Sequence, residues 1–561
     1  MKKIEKFTFL FFEFFIFEVL LIRLGFFLKI PISSYTLPIS FFFYIFILSI
    51  YFLTQKNKTK NFTPLLIFVI TSFIFLGLSL LIGKTYDLSW DGQGYHQTAV
   101  IALSKGWNPV WQKTINFPVR LPSQVFAEGY PTMSWEIEAS IYNVVGSVNS
   151  AKIINFIFLL IAMLFTFILL KKIKIKTFLS VFLSFLVCFQ PLFINQQFSF
   201  MQDGLAYEIT IIAISSLIVF ILKKKNYWSL ISFISAEIFL ASSKYSLLPV
   251  AGLLGIIFMV IVINRFMNKE YFLNKTAKLF IFLVILVSFI FSWIPYIKNI
   301  YFYQTPFYPT NIPALNGSVK YNNLPQNLKY ANPIILYVYG IFGRSQVASA
   351  GDTRSISNRA YLKLPFTFSI KEIDDASKLF NNRVGATGPL FSGIVLASFI
   401  FTIYMSFNAD TMRQKYSIYV SFFAFTLITI ASLVVPTPNL LRYVSQIELI
   451  PFVLLIPILV AFDKNKFTKF FSITIFTLIF INNSLYFIAA LNTNILGMQA
   501  ENTQFEEMRD SGNTFKVKSQ EFYSNYTLLT EQNIKFQRVA NLPCKKINKL
   551  VSSSASTLYC Y

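Results

Sequence analysis

Long apolar runs separated by short polar stretches dominate the chain. The runs fall at roughly 7–28, 36–54, 64–83, 150–170, 177–194, 205–222, 227–243, 246–264, 278–297, 388–407, 416–435, 444–462 and 470–490. At about 17–25 residues each, they match the hydrocarbon thickness of a bilayer. The pattern predicts an all-α polytopic membrane protein, a bundle of about 13 transmembrane helices.

Charge gives the bundle an orientation. Alternate connections carry the lysines and arginines: Lys2, Lys3 and Lys6; Lys56, Lys58 and Lys60; Lys171, Lys172, Lys174 and Lys176; Lys223, Lys224 and Lys225; Arg265, Lys269 and Lys275; Arg413 and Lys415; Lys464, Lys466 and Lys469. The short connections between them hold almost none. The positive-inside rule places the basic set in the cytoplasm. The expected division is 1–84 N-terminal transmembrane helices, 85–149 a first large extracytoplasmic loop, 150–297 a transmembrane core, 298–387 a second extracytoplasmic loop, 388–490 C-terminal transmembrane helices and 491–561 an extracytoplasmic tail. All the large polar segments then lie on one face. A simple transporter does not need that, whereas an enzyme working at the outer leaflet of the cell's inner membrane does.

Composition narrows the class. The chain has 561 residues, 55% hydrophobic and only 13% charged, which excludes a string of soluble domains. A net charge of +24 raises nucleic acid as a partner, but the basic residues sit in short inter-helix loops, where they meet anionic membrane lipids instead. The 66 phenylalanines read as compositional bias. Cys188 lies in an apolar run, and Cys544 and Cys560 could pair if the tail is outside. The N-terminal run lacks a small-residue cleavage site and reads as an uncleaved span in which Glu13, Glu18 and Arg23 partner one another.

Candidate chemistry concentrates in the first loop. It opens TYDLSWDGQGYHQ, holding Asp87, Asp91 and the single histidine, His96. Short interfacial helices are expected over His96–Lys105 and Met133–Val145, with an irregular Pro-rich connector between them. Asp91 at the mouth of a membrane cavity could act as a general base, hold a divalent cation, or only cap the following helix. Asp87 reads as a solvated loop residue. Asp203, in MQDGL at the outer end of its span, is a second carboxylate followed by glycine. Lys244 is a costly cation at membrane depth and calls for a partner. Arg442 could clamp a lipid phosphate with its planar fork or snorkel to a headgroup. Arg344 and Arg354, in the second loop, are weaker candidates for phosphate. The tail, with stretches such as NIKFQRVANL, could form a small ordered cap.

The order of four motifs resembles the GT-C superfamily of polytopic glycosyltransferases, near the bacterial branch related to protein mannosyltransferases and lipid A aminoarabinose transferases. The first is Trp90-Asp91-Gly-Gln-Gly-Tyr95-His96, and the second Glu128-Gly-Tyr130-Pro131. Gln202-Asp203-Gly204 follows, then Asn299 with Pro306-Phe-Tyr308-Pro309. The resemblance covers about residues 64–460. It implies a GT-C-like bundle and sugar transfer from a polyprenyl-phosphate-linked donor to a lipid, glycan or protein acceptor. Asp91, Asp203 and His96 would be the catalytic set, and Asp91 and Asp203 could share Mg²⁺ or Mn²⁺. Tyr95, Glu128, Tyr130, Lys244, Tyr308, Arg344 and Arg442 would bind substrate. Two extra spans precede the family's usual first helix, and a single aspartate stands where many members have an acidic pair. Rival readings are a polysaccharide polymerase or ligase, which would use the later loop's arginines, and a lipid-linked sugar flippase or other transporter.

Overall fold

The computed structural model describes residues 1–54, 58–223, 226–267, 275–310, 324–345, 359–370, 372–373, 384–385, 387–551 and 557–561. The chain is nearly all helical. Helices α1 (Lys2–Phe27), α2 (Thr36–Leu53) and α3 (Lys58–Ile82) lead into the first loop. That loop holds α4 (Gln97–Ser104), α5 (Gln124–Gly129) and α6 (Met133–Val145). The core continues through α7 (Ile153–Lys172), α8 (Thr177–Cys188), α9 (Pro191–Gln196), α10 (Asp203–Leu222), α11 (Tyr227–Ser243), α12 (Leu248–Met267), α13 (Lys275–Ser292) and α14 (Lys298–Tyr303). Helices Phe391–Phe407, Met412–Leu433, Ile450–Ala461 and Lys466–Asp510 complete the bundle.

Among the described residues, eight helices are long and apolar enough to cross a membrane. This is fewer than the thirteen read from the apolar runs, for identifiable reasons. Three ionisable residues, Glu13, Glu18 and Arg23, interrupt α1. Expected span 177–194 is broken between α8 and α9 at Gln190-Pro191, where the proline forces its predecessor into an extended conformation. The apolar helices at 227–243, 391–407 and 445–461 have 17 residues or fewer. A further short apolar helix, Pro333–Phe342, lies inside the second loop, capped by the Asn332 side chain.

The ionisable residues of α1 do not pair with one another as expected. Arg23 reaches into the first loop and forms a fully buried ion pair with Glu136 of α6 at 3.0 Å. Glu18 accepts from Ser140, also on α6, and Glu13 accepts from Ser235 on α11 at 2.7 Å. Satisfying these groups against α6 and α11 fixes α1 into the centre of the bundle, since an unpaired buried polar group is costly.

The first-loop helices are buried rather than interfacial. Every residue of α4 from Gln97 to Leu103 is buried, as is α6 from Met133 to Ile141. Helices α1, α2, α4 and α11 cover α6, and the tail adds cover over α4. Helix Lys466–Asp510 runs through the expected boundary at 490, and the chain beyond it forms a four-stranded sheet of β1 (Phe515–Ser519), β2 (Phe536–Arg538), β3 (Asn548–Lys549) and β4 (Thr557–Cys560), in the order β2-β1-β4-β3. The fold is therefore not purely α. A Cys544–Cys560 disulfide closes this cap.

The bundle has two chemically distinct ends. At the C-terminal end of α1, Phe26 O accepts from Asn108 and Trp111 of the first loop. At its N-terminal end, Glu5 meets Lys172 and Asn226. The 26 residues between span about 39 Å, enough to separate two membrane faces. Cysteines introduced at the exposed Lys113 and Lys174 should label from opposite sides with an impermeant thiol reagent, because Cys188 is buried and the other two cysteines are bonded. Equal labelling of both in intact cells would contradict the separation.

Candidate functional site

A cavity of about 590 Å³ opens where the first loop, the start of α10, the α11–α12 junction and the segment 434–443 meet. That size suits a small ligand. Asp91, Tyr95, His96, Tyr130, Asp203, Lys244 and Arg442 all line it. Seven residues from four separate stretches thus converge, as their common sidedness implies.

The backbone that presents Asp91 is unusual. Gly92–His96 forms one π-helical turn ahead of α4. Such turns re-aim the side chains around them. Asp87 anchors this turn, accepting from Ser89 N at 2.7 Å, Ser89 Oγ at 2.6 Å and Phe200 N at 2.7 Å. It is 2% exposed and so is not the solvated residue expected. A Cβ on Gly92 would fall 1.9 Å from Asp87 Oδ2, so only glycine fits between the anchor and the turn. The tail clamps the same segment from outside. Trp90 Nε1 donates to Glu521 at 2.8 Å, Ser524 Oγ donates to Gln93 O at 2.8 Å, and the Phe522 ring lies against Gly94.

Asp91 is not a helix cap: no backbone N–H of the following turn bonds to its side chain. Arg442 Nη1 instead donates to Asp91 Oδ2 at 2.5 Å. Burial pushes the Asp91 carboxyl up, but the charge and hydrogen bond of Arg442, helped by His96 and Lys244, outweigh it and hold the group below the usual carboxylate range. Arg442 also donates to the Tyr443 hydroxyl at 3.0 Å, and its Nε is buried without a hydrogen-bond partner among the described residues. A buried guanidinium donor left unused is a place for an acceptor atom of a ligand.

Asp203 forms an ion pair with Lys244 through Oδ1, while its Oδ2 accepts from Gln196 at 3.1 Å. Both oxygens are engaged, and the pair holds Lys244 at the cavity wall. The Lys244 ammonium sits 4.7 Å from the centre of the Tyr443 ring and Arg442 lies 4.8 Å from the same ring. One aromatic ring therefore meets two cations. Burial, reinforced by Arg442, pulls the Lys244 ammonium down, against the pull of Asp91.

His96 accepts the Trp135 indole N–H at Nδ1, 2.8 Å away. A neutral ring held this way carries its proton on Nε2. Burial pushes the histidine down to about 3, against the attraction of Asp91. Its Nδ1 is thus unavailable as a base, and the ring can offer only an Nε2–H to a ligand.

Three expected substrate residues do not line the cavity. Glu128 is taken up by Arg120, at 3.0 and 2.9 Å, and by Ile115 N at 2.8 Å. Tyr308 stacks on Tyr303 with ring centres 3.5 Å apart and packs over Gly129. Arg344 donates to Ser369 at 3.2 Å. Arg354 lies outside the described residues. The two Pro-rich motifs act as scaffold: Asn299 Nδ2 and the Tyr245 hydroxyl both donate to Gly129 O at 2.8 Å, tying the motifs together beneath Tyr130. Trp135, Tyr245 and Tyr443 join the cavity wall without having been singled out, and the adjacency of Tyr443 to Arg442 was the only signal for any of them.

The two carboxylates lie on different partners, Asp91 on Arg442 and Asp203 on Lys244. Each faces a different basic side chain, and among the described residues no three His, Cys, Asp or Glu side chains gather as ligands. Two cations on one wall attract an anion. No family model, curated protein or solved structure matches the chain.

The histidine gives a pH test. The unfolded chain protonates His96 near 6.5, whereas the folded site refuses the proton until about 3. Stability from this residue is complete above about pH 6.5 and drains as pH falls toward 3. Replacing His96 by Gln, which can still accept from Trp135, should flatten thermal stability across that window by up to about 1.4 kcal/mol per pH unit. Unfolding curves with the same pH slope in both proteins would contradict a neutral, buried His96.

Proposed function

We propose that the chain is a membrane glycosyltransferase of GT-C type, transferring a sugar from a polyprenyl-phosphate-linked donor to a glycan, lipid or protein hydroxyl. The observation that carries this reading is the buried Arg442 guanidinium, with a spare Nε donor, beside Lys244 and in contact with the Asp91 carboxylate. A phosphate leaving group needs cations, and an attacking hydroxyl needs a base. This cavity holds both within an aromatic wall of Tyr95, Tyr130, Trp135 and Tyr245 suited to a sugar face.

In the proposed reaction the acceptor hydroxyl oxygen bonds to the anomeric carbon while its proton passes to Asp91. The bond from that carbon to the phosphate oxygen breaks, and the polyprenyl phosphate leaves with the electron pair. Arg442 and Lys244 offset its charge. Paired with Arg442, Asp91 is a weak base. Donor phosphate on the guanidinium would weaken that pairing and raise the basicity of Asp91 when it is needed. His96 would orient the donor or acceptor through Nε2–H.

The supporting context is the segregation of ends. The cavity and the disulfide-bearing cap lie away from the lysine-rich end, consistent with an extracytoplasmic site on the inner membrane and an oxidising surrounding. The about 13 crossings and the GT-C arrangement belong to the same proposal. A polymerase or ligase built on second-loop arginines has less support, since Arg344 lies off the cavity.

Purified Asp91→Asn should insert and fold, yet lose transfer from a lipid-linked sugar pool by about 100- to 10,000-fold. Arg442→Lys should keep charge but lose the planar fork, raising the donor requirement more than it lowers stability. Full transferase activity in Asp91→Asn would sink the assignment and favour transport.

A further inference from the structure

A cleft of about 190 Å³ lies between α1, α2, α3, α6 and the start of α7. Among the described residues it shares no lining side chain with the Asp91 cavity. Aromatic rings brace its walls. Phe14 of α1 meets Phe41 of α2 with ring centres 5.9 Å apart, Phe41 meets Phe73 of α3 at 6.1 Å, and Phe11 of α1 meets Phe75 of α3 at 5.9 Å. All of these rings line the cleft, which is the space they leave between the three helices. Ile141 of α6 and Ile153 and Ile157 of α7 are buried and form its floor. Phe42 and Phe73, 64% and 58% exposed, form its mouth.

The lining says what kind of ligand fits. Among the described residues no charged side chain contributes to it. Its two hydroxyls already donate within α3, Ser72 to Phe68 O at 2.8 Å and Ser79 to Leu76 O at 2.6 Å. A wall this apolar excludes water. The mouth opens on the membrane rather than on solvent. Both α2 and α3 are long and apolar enough to cross a bilayer, and α2 buries only Ser40, Tyr44 and Phe52 within the chain, so most of its surface meets hydrocarbon. Leu37 and Pro38 lie in the first turn of α2 and Ser79 in the last turn of α3, which puts the cleft in the half of the membrane on the first-loop side. A gap open to hydrocarbon fills, because an empty one forfeits the dispersion contacts of its whole lining.

We propose that the cleft binds one acyl chain of a phospholipid from the leaflet on the first-loop side. With no charge in the lining, it is the chain that is held and not the headgroup. The bound chain lies against Ile141 and Val144 and so backs α6, the helix that presents Glu136 to Arg23 and Trp135 to His96. This site is separate from the chemistry at the Asp91 cavity.

The test uses the full-length protein in nanodiscs of phosphatidylcholine that carries a diazirine midway along one acyl chain. After illumination, peptide mass spectrometry identifies the labelled residues. Boundary lipid labels outward residues such as Leu66 and Ile70, 59% and 50% exposed. Only a chain inside the cleft reaches Ile141, Ile153 and Ile157, and label is expected on all three. Ser72→Phe fills the cleft and should remove the floor label while Leu66 and Ile70 stay labelled. The wild-type map decides without any substitution: label confined to outward residues would overturn the proposal. An unchanged floor label in folded Ser72→Phe would overturn it too. So would a floor label that a short-chain polyprenyl phosphate removes and excess unlabelled phosphatidylcholine does not, since the cleft would then hold an isoprenoid chain. Transferase activity is not the readout, so failure here leaves the glycosyltransferase reading untouched.

Discussion

The contact between Arg442 and Asp91 joins residues 351 positions apart, and much of the architecture exists to make it possible. Pairing offsets the cost of burying either charge, which is several kcal/mol for one left without any partner. Together they form a buried pair. Arg442 holds the carboxylate ionised, and its remaining donor stays unspent. The Asp203–Lys244 pair repeats the device, and both cations approach the Tyr443 ring. Remote elements support the site: Asp87 and Gly92 shape the π-helical turn, and the C-terminal cap contacts it through Glu521, Phe522 and Ser524.

How far the sequence disclosed this depends on the kind of information each residue carries. Apolar runs mark helices because hydrocarbon thickness imposes a length. They do not mark which helices cross, because breaks such as Gln190-Pro191 and the ionisable residues of α1 depend on partners distant in the chain. Sidedness correctly grouped Asp91, Asp203, Lys244 and Arg442 on one face, where the cavity gathers them. It could not say which way a side chain turns. Glu128 and Tyr130 are two residues apart at a helix end, about 200° around an ideal helix axis, so one faces Arg120 and the other the cavity.

The cap was the least legible part. Its strands have two to five residues, too short for an alternating pattern to stand out, and its sheet closes only when Thr557–Cys560 inserts between β1 and β3. Its functional meaning lies in contacts to Trp90 and Gln93, more than 400 residues earlier, which no local pattern encodes. Asp87 was misread for a related reason. Its hydrogen-bond partner Phe200 lies 113 residues away, and without it the residue looks like any loop aspartate.

The proposed chemistry rests on one geometric claim, that Arg442 and Lys244 receive the donor phosphate while Asp91 is left to take a proton. The most direct measurement is an electron cryo-microscopy structure of the protein in nanodiscs with a short-chain polyprenyl phosphate. The account predicts the phosphate within hydrogen-bond distance of Arg442 and Lys244, with the Asp91–Arg442 contact lengthened from its present 2.5 Å. A phosphate bound away from both cations, with that contact unchanged, would contradict it.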